Sequence, residues 1–118
     1  MTISTFAAGL KSPRSIAVDS SGNVYVVETT APGIAKITTT GVKSAVGNGQ
    51  GLTPTGVAVD SSGNVFTCFA GTRQIFKNNV PWASSPLLQD AQDLATDSSG
   101  NVYVAVAGSN CVLKISAS

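Results

Sequence analysis

Asp19-Ser20-Ser21-Gly22-Asn23-Val24 returns unchanged at two further places in the chain, Asp60–Val65 and Asp97–Val102. Each copy follows a short apolar run and precedes another that is rich in β-branched and aromatic residues. Apolar runs broken by a short glycine-containing loop are typical of a β-hairpin. The aspartate can accept a hydrogen bond from the backbone two residues on, and the glycine can adopt a positive φ. The stretch therefore predicts a hairpin turn that the chain uses three times.

The spacing of the three turns predicts the architecture. They are 41 and 37 residues apart, a period typical of arrays of four-stranded units. Each unit has an inner strand, the turn, a second strand, a third strand and an outer strand. The third strands are predicted at Gly33–Ile37, Gln74–Lys77 and Cys111–Ile115. No segment combines helical periodicity with caps, so we expect essentially no helix. The pattern predicts an all-β fold, a β-propeller with three four-stranded blades per chain.

The order of strands predicts how the propeller closes. Outer strands are predicted at Thr2–Ala8, at Lys43–Val46 and at Pro81–Pro86, where the two prolines favour a short or edge strand. The chain thus opens with an outer strand and ends after a third strand. Three blades fall below the usual 4–8. We therefore expect residues 1–118 to be a half-propeller that closes as a six-bladed C2 homodimer, with residues 2–8 completing the partner's last blade.

Pro13–Val26 resembles the NHL-repeat β-propeller pattern and is also similar to blades of the streptogramin (virginiamycin B) lyases. The resemblance extends over the whole chain in three units and implies the architecture more than a function. NHL blades usually carry an acidic residue after the second strand and an arginine at the start of the third. In the first unit these positions are Glu28 and Gly33, and neither of the other units restores the pair. The lyases depend on histidines, and this sequence has none.

Composition limits the classes of partner. The chain has 118 residues, 42% hydrophobic and 11% charged, with a net charge of +1. Near-zero charge argues against nucleic acid or an anionic membrane as the main partner. No apolar run approaches the roughly 20 residues of a transmembrane helix. The start, Met1–Leu10, lacks the basic region of a signal peptide, so we expect a cytoplasmic protein as expressed, although a parent protein could have been exported. The start and stop at blade boundaries also fit an excised or engineered fragment.

Few residues are available for catalysis. Without histidine there is no Ser-His or Cys-His arrangement. Three of the six acids belong to the turns, which leaves Glu28, Asp90 and Asp93. The pair Asp90 and Asp93 could bind a metal or act as acid and base, but solvated loop charges are the favoured interpretation. Each turn offers one carboxylate, whereas calcium prefers 6–8 oxygen ligands. We therefore expect no cofactor, no metal and no enzyme activity.

Other motifs have a structural interpretation that we favour. Gly47–Gly51 resembles a phosphate-binding loop but precedes a strand, whereas that chemistry needs a helix. Cys68 and Cys111 are expected to be buried free thiols. Trp82 could be a carbohydrate platform, but packing against the loop Ser84–Leu88 is favoured. Three lysines share one repeat position on the third strands: Lys36, Lys77 and Lys114. We expect them to protect a strand edge rather than to bind a ligand.

The candidate ligand site is a rim at the mouth of the central channel, where outer-to-inner loops converge. Its predicted residues stand just before the inner strands: Arg14, Ser15, Thr55, Gln92 and Asp93. Their mixed charge suits a small polar ligand. The leading hypothesis is a non-enzymatic, self-assembling scaffold or binding module. The alternatives are a propeller enzyme of lyase or lactonase type acting at the channel mouth, and a lectin-like repeat protein, for which only Trp82 could serve.

Overall fold

The computed structural model describes residues 1–30, 33–48 and 52–116. Its eleven strands form three antiparallel sheets, which we call the first, second and third blades. The first blade contains β1 (Pro13–Val18), β2 (Val24–Glu28), β3 (Gly33–Ile37) and β4 (Lys43–Asn48). The second contains β5 (Pro54–Val59), β6 (Val65–Phe69), β7 (Gln74–Lys77) and β8 (Val80–Ser84). The third contains β9 (Ala91–Thr96), β10 (Val102–Val106) and β11 (Cys111–Ile115). The all-β fold and the three third strands are confirmed.

The repeated aspartate closes each turn between inner and second strands. Asp19 accepts hydrogen bonds at Oδ1 from the amides of Ser21 (3.0 Å) and Asn23 (2.9 Å). Its backbone carbonyl accepts a bond from the Gly22 amide at 3.1 Å, and the Gly22 φ is +88°. The turns that begin at Asp60 and Asp97 repeat these contacts. The hairpin prediction is therefore confirmed at all three copies.

Two apolar clusters hold the blades side by side. The cluster between the first and second blades is formed by Tyr25, Val27, Ile34, Val57 and Val59. A larger cluster between the second and third blades includes Phe66, Cys68, Ile75, Leu94 and Val104. Both faces of the second blade are covered by neighbouring blades, and every residue of its inner strand β5 is buried. Apolar alternation along each strand thus supplies one face to the preceding blade and one to the next.

The outer strands differ most from the sequence prediction. β8 begins at Val80 and lies at the edge of its sheet, as the prolines predicted. Residues 2–8, predicted as an outer strand, form no strand in the single chain. The physical reason is the absence of a ladder partner: the blade that would precede the first blade is not among the described residues, and a lone extended segment gains no hydrogen bonds.

In the part of the chain that the structure describes, helical structure is limited to one short element. A single 3-10 turn, Ala107–Ser109, links β10 to β11 and is followed by Asn110 at a φ of +52°. Among the residues that the structure describes, no helix is long and apolar enough to cross a membrane. The expectation of essentially no helix is confirmed over those ranges.

Candidate functional site

The predicted rim residues lie at one end of the three inner strands. Arg14 and Ser15 belong to the start of β1, Thr55 to the start of β5, and Gln92 and Asp93 to the start of β9. The repeats place them at equivalent positions, so neighbouring inner strands bring them to the same end of the arc. The structure joins four of the five by hydrogen bonds between the first and third blades.

A chain of side-chain hydrogen bonds crosses this end of the arc. Arg14 Nη2 donates to Gln92 Oε1 at 2.7 Å, and Gln92 Nε2 donates to Asp90 Oδ1 at 2.7 Å. The amide of Gln92 therefore links a guanidinium on one blade to a carboxylate on another. Asp90 adopts a φ of +61°, a region that aspartate tolerates better than most residues. Asp90 is not among the rim residues that the sequence predicts, although its position two residues before Gln92 is a signal that points to it.

Ser15 and Asp93 make the second contact between these blades. Ser15 Oγ donates to Asp93 Oδ1 at 3.3 Å, and the Leu94 amide donates to the same oxygen at 2.9 Å. Gly56 occupies the equivalent position between them. A Cβ there would lie 2.8 Å from the Asp93 Cα and 2.7 Å from its Oδ1, closer than real Cβ atoms approach. Glycine therefore permits the close approach of β5 and β9, a requirement that the sequence analysis missed.

Thr55 lies beneath the rim rather than on it. It is buried, and its hydroxyl donates to the Ala91 carbonyl at 2.9 Å. The hydroxyl oxygen of Thr55 also lies 3.2 Å from Cys68 Sγ. These contacts tie the second blade to the third and leave Arg14, Ser15, Gln92 and Asp93 as the accessible polar groups. One of the five guanidinium donors of Arg14 is bonded to Gln92, and the rim presents both donors and acceptors.

The cysteines have different environments. Cys68 is buried, as predicted, and burial raises its pKa to about 11, although the hydrogen bond with Thr55 opposes that shift. A thiol with so high a pKa is almost entirely protonated at neutral pH and is a poor nucleophile. The prediction that Cys111 is buried is wrong, because this free thiol is exposed at the start of the edge strand β11.

The remaining carboxylates are engaged in structural bonds. Both carboxylate oxygens of Asp97 accept bonds, including one from the Tyr103 hydroxyl at 3.1 Å. Hydrogen bonds from the Asn101 side chain, followed by those from the Asn101 amide and Tyr103, lower the Asp97 pKa to about 2. Burial raises the pKa of Glu28, but bonds from the Lys11 amide and the Lys43 ammonium outweigh it, and the pKa lies below its usual value. Over the described ranges, no group of three His, Cys, Asp or Glu side chains could hold a metal ion.

The other motifs have structural contacts. Trp82 packs on Phe66, with ring centroids 5.0 Å apart, and against the cluster between the second and third blades, which includes Leu88 of the predicted loop. The three repeated lysines each lie over an aromatic ring of the second strand, and Lys77 lies over both Phe66 and Trp82. Each stack joins directly opposed residues of the second and third strands. Residues 49–51 of the glycine-rich stretch Gly47–Gly51 lie outside the described residues.

The comparisons with known proteins agree on the architecture. A family model described as a beta-propeller repeat matches residues 5–30. A streptogramin B lyase structure has a TM-score of 0.71 at 16% identity, covering 86% of this chain and 36% of that one. Virginiamycin B lyase from Staphylococcus aureus has a TM-score of 0.71 at 15% identity, with 89% and 38% covered. A nidogen/laminin complex has a TM-score of 0.67 at 21% identity, with 80% and 39% covered.

These similarities show the fold alone. No curated protein sequence matches the chain. The chain spans less than two fifths of the length of each of these three solved structures. Together with the sheets of the structure, the comparisons confirm the resemblance to β-propeller blades, including those of the streptogramin lyases.

Proposed function

We propose that the chain is a non-enzymatic binding scaffold that closes into a six-bladed ring with a second copy of itself. The observation that carries this proposal is the exposure of apolar residues on the two outward faces of the arc. Ile16 is 65% exposed and Val18 57% exposed, whereas their repeat equivalents on β5, Val57 and Val59, are 2% and 9% exposed. The free face of the first blade thus carries the residue types that fill an interface between blades elsewhere in the chain.

The third blade has the complementary free face. Val112 is 67% exposed, whereas its repeat equivalents Ile34 and Ile75 are 2% and 0% exposed. With Tyr103, Ala105 and neighbouring residues it lines an open concavity of about 220 Å³. We call the contact between this face and the Ile16–Val18 face of another copy the seam. Two copies form two equivalent seams related by a two-fold axis, and each seam buries apolar groups from water.

The exchanged strand follows from the same repeat logic. β4 leads into β5 and β8 leads into β9, and each completes the blade that precedes the strand it leads into. Residues 2–8 lead into β1 in the same way. The outer edge of β11 is unpaired among the described residues. In the ring, residues 2–8 of one copy become the fourth strand of the partner's third blade, so both unpaired segments acquire ladder bonds.

The rim is the proposed ligand site of this scaffold. Each copy supplies Arg14, Ser15, Gln92 and Asp93 to the same end of the arc, so the ring presents each group twice. Guanidinium donors beside carboxylate acceptors suit a small polar ligand. The absence of histidine and the protonated, buried Cys68 support binding rather than turnover. An activity on streptogramins or lactones that vanishes in Asp93→Asn, with the fold intact, would make the rim an active site.

Light scattering on the 118-residue chain tests the ring. We expect the mass of two chains, and we expect Ile16→Asp to shift the protein to monomer or aggregate because a charge would be buried at both seams. Val80→Asp is the matched control, since Val80 is 61% exposed on β8 and away from the seam. A folded monomer would contradict the proposal, and a mass of three chains would require a nine-bladed ring.

A further inference from the structure

The outer strands of the first and second blades share one irregularity. In the first blade, Ile34 pairs with Gly47 and Ala35 with Ala45, so Val46 is left as a bulge. In the second blade, Ile75 pairs with Ala83 and Phe76 with Pro81, so Trp82 is left in the same way. In each strand a bulged large apolar residue is followed by a small one. A bulge turns its side chain away from the regular alternation of the strand.

Both bulged side chains occupy the same place in their blades. Val46 packs against the cluster between the first and second blades, and Trp82 packs against the cluster between the second and third. Trp82 lies on Phe66, and the Lys77 ammonium lies 5.7 Å from the Phe66 ring and 5.8 Å from the Trp82 ring. The outer strand therefore adds one apolar anchor, placed beside the aromatic residue of the second strand and the lysine of the third.

The third blade contains the equivalent aromatic–lysine pair, but no outer strand of the described residues places an apolar side chain beside it. Tyr103 and Lys114 are the repeat equivalents of Phe66 and Lys77, and the Lys114 ammonium lies 5.9 Å from the Tyr103 ring. Tyr103 and Val112 line the open concavity on the free face. In residues 2–8, Phe6 followed by Ala7 repeats the large-then-small pattern of Val46-Gly47 and Trp82-Ala83. Phe6 is 51% exposed in the single chain.

We infer that Phe6 is the anchor of the exchanged strand and that it packs on Tyr103, beside Lys114, of a second copy. This inference rests on the proposed ring and fixes its register. With Phe6 as the bulge, Ala7 lies opposite Val112 and Ala8 opposite Cys111, as Gly47 and Asn48 lie opposite Ile34 and Gly33. Thr5 then lies opposite Leu113. The aromatic ring gains apolar burial and a cation–π contact with the lysine.

The exposed thiol of Cys111 makes this register directly measurable. Opposed residues of an antiparallel ladder have Cα atoms about 4.5–5.5 Å apart, within the range that a disulfide spans. We expect Ala8→Cys, oxidised with diamide, to form a disulfide with Cys111 of the partner and to give a covalent dimer on a non-reducing gel. Ser4→Cys is the control, because position 4 lies opposite Lys114, about 10 Å along the strand from Cys111. Ala8→Cys with Cys111→Ser should give no covalent dimer.

Substitution of the anchor is the second measurement. We expect Phe6→Ala to raise the dimer dissociation constant by about 100-fold, since a buried aromatic side chain contributes roughly tenfold or more at each of the two seams. Val80→Ala, at a residue that is 61% exposed on β8 and outside the predicted ladder, should leave the constant unchanged. If Ile3→Ala raised the dissociation constant strongly and Phe6→Ala did not, the strand would pair in a different register and the inference would be overturned.

The outcomes separate this inference from the proposed ring. A dimer by light scattering with no Ala8–Cys111 disulfide and a silent Phe6→Ala overturns the anchor and leaves the ring standing. A disulfide formed within a single chain, seen as thiol loss at monomer mass, shows that residues 2–8 close on their own third blade and overturns the exchange. A monomer without a disulfide overturns both proposals.

Discussion

At the scale of single residues, the turn aspartate links the sequence repeat to the fold. Its carboxylate accepts amide bonds from the residues two and four positions on, and the side-chain amide of the asparagine in the turn reaches its second oxygen. The glycine supplies the positive φ that the reversal needs, +84° at Gly63. A single hexapeptide therefore contains both the hydrogen-bond acceptor and the positive-φ glycine that the turn needs.

Gly63→Ala isolates the backbone requirement of the turn. Apart from the two flanking residues, no atom lies within 4 Å of the position that a Cβ would occupy, so the substitution adds strain without a clash. We expect a loss of about 1 kcal/mol in the free energy of unfolding, because alanine resists a positive φ. A urea titration measures it, with Ser61→Ala in the same turn as the control. Unchanged stability would contradict the assignment of the turn.

Tyr103→Phe tests the electrostatics of the third turn. It removes one of the donors that hold the Asp97 pKa at about 2, so we expect that pKa to rise toward its ordinary value of 3.8. Because the folded pKa lies below the unfolded one, Asp97 stabilises the protein above about pH 4 and this contribution is lost as the pH falls toward 2. A carboxyl NMR titration measures the shift. Tyr25→Phe, which acts on Asp19, should leave the Asp97 pKa where it is.

At the scale of elements, side-chain bonds across blades supplement the apolar clusters. Thr55 Oγ1 donates to the Ala91 carbonyl, and Thr96 Oγ1 donates to the Val59 carbonyl at 2.8 Å. The two bonds run in opposite directions between β5 and β9. They fix the relative position of the second and third blades along the strand direction, which dispersion contacts alone define poorly because apolar packing is non-directional.

Thr55→Val measures one of these bonds. Valine keeps the shape of threonine but leaves the buried Ala91 carbonyl without this donor, so we expect a loss of about 1–3 kcal/mol in the free energy of unfolding. Thr29→Val is the matched control, because the Thr29 hydroxyl also donates to a backbone carbonyl but in a solvent-exposed place. Water replaces the lost bond there, and equal effects of the two substitutions would show that burial of Thr55 is not decisive.

At the scale of the whole molecule, the two ends of the arc expose apolar residues and a strand edge. One end exposes Ile16 and Val18, and the other exposes Val112 and the edge of β11 that pairs with no strand of the described residues. Exposed apolar faces and strand edges favour association. Since the proposed ring joins folding to assembly, its stability depends on protein concentration.

Thermal unfolding at two concentrations tests this coupling. We expect the Tm to rise with chain concentration for the parent protein and to lose most of that dependence in Ile16→Asp. Deletion of residues 2–8 should leave a ladder edge exposed at both seams and lead to aggregation or unfolding. A Tm that is independent of concentration, in a protein that scatters as a dimer, would mean that the blades fold before the copies meet.

The sequence by itself determined the local structure. The repeat of Asp19–Val24 and the alternation around it predicted the turns, the third strands and the β-propeller architecture, because those features depend on contacts between residues close in the chain. Only the tertiary structure decided which rim residues are accessible. It buried Thr55 under Ala91, brought Arg14 to Gln92 across 78 positions, and drew β5 so close to β9 that Gly56 is required. Those distances depend on how blades pack, and the spacing of repeats along a chain does not encode the tilt and approach of one sheet against another.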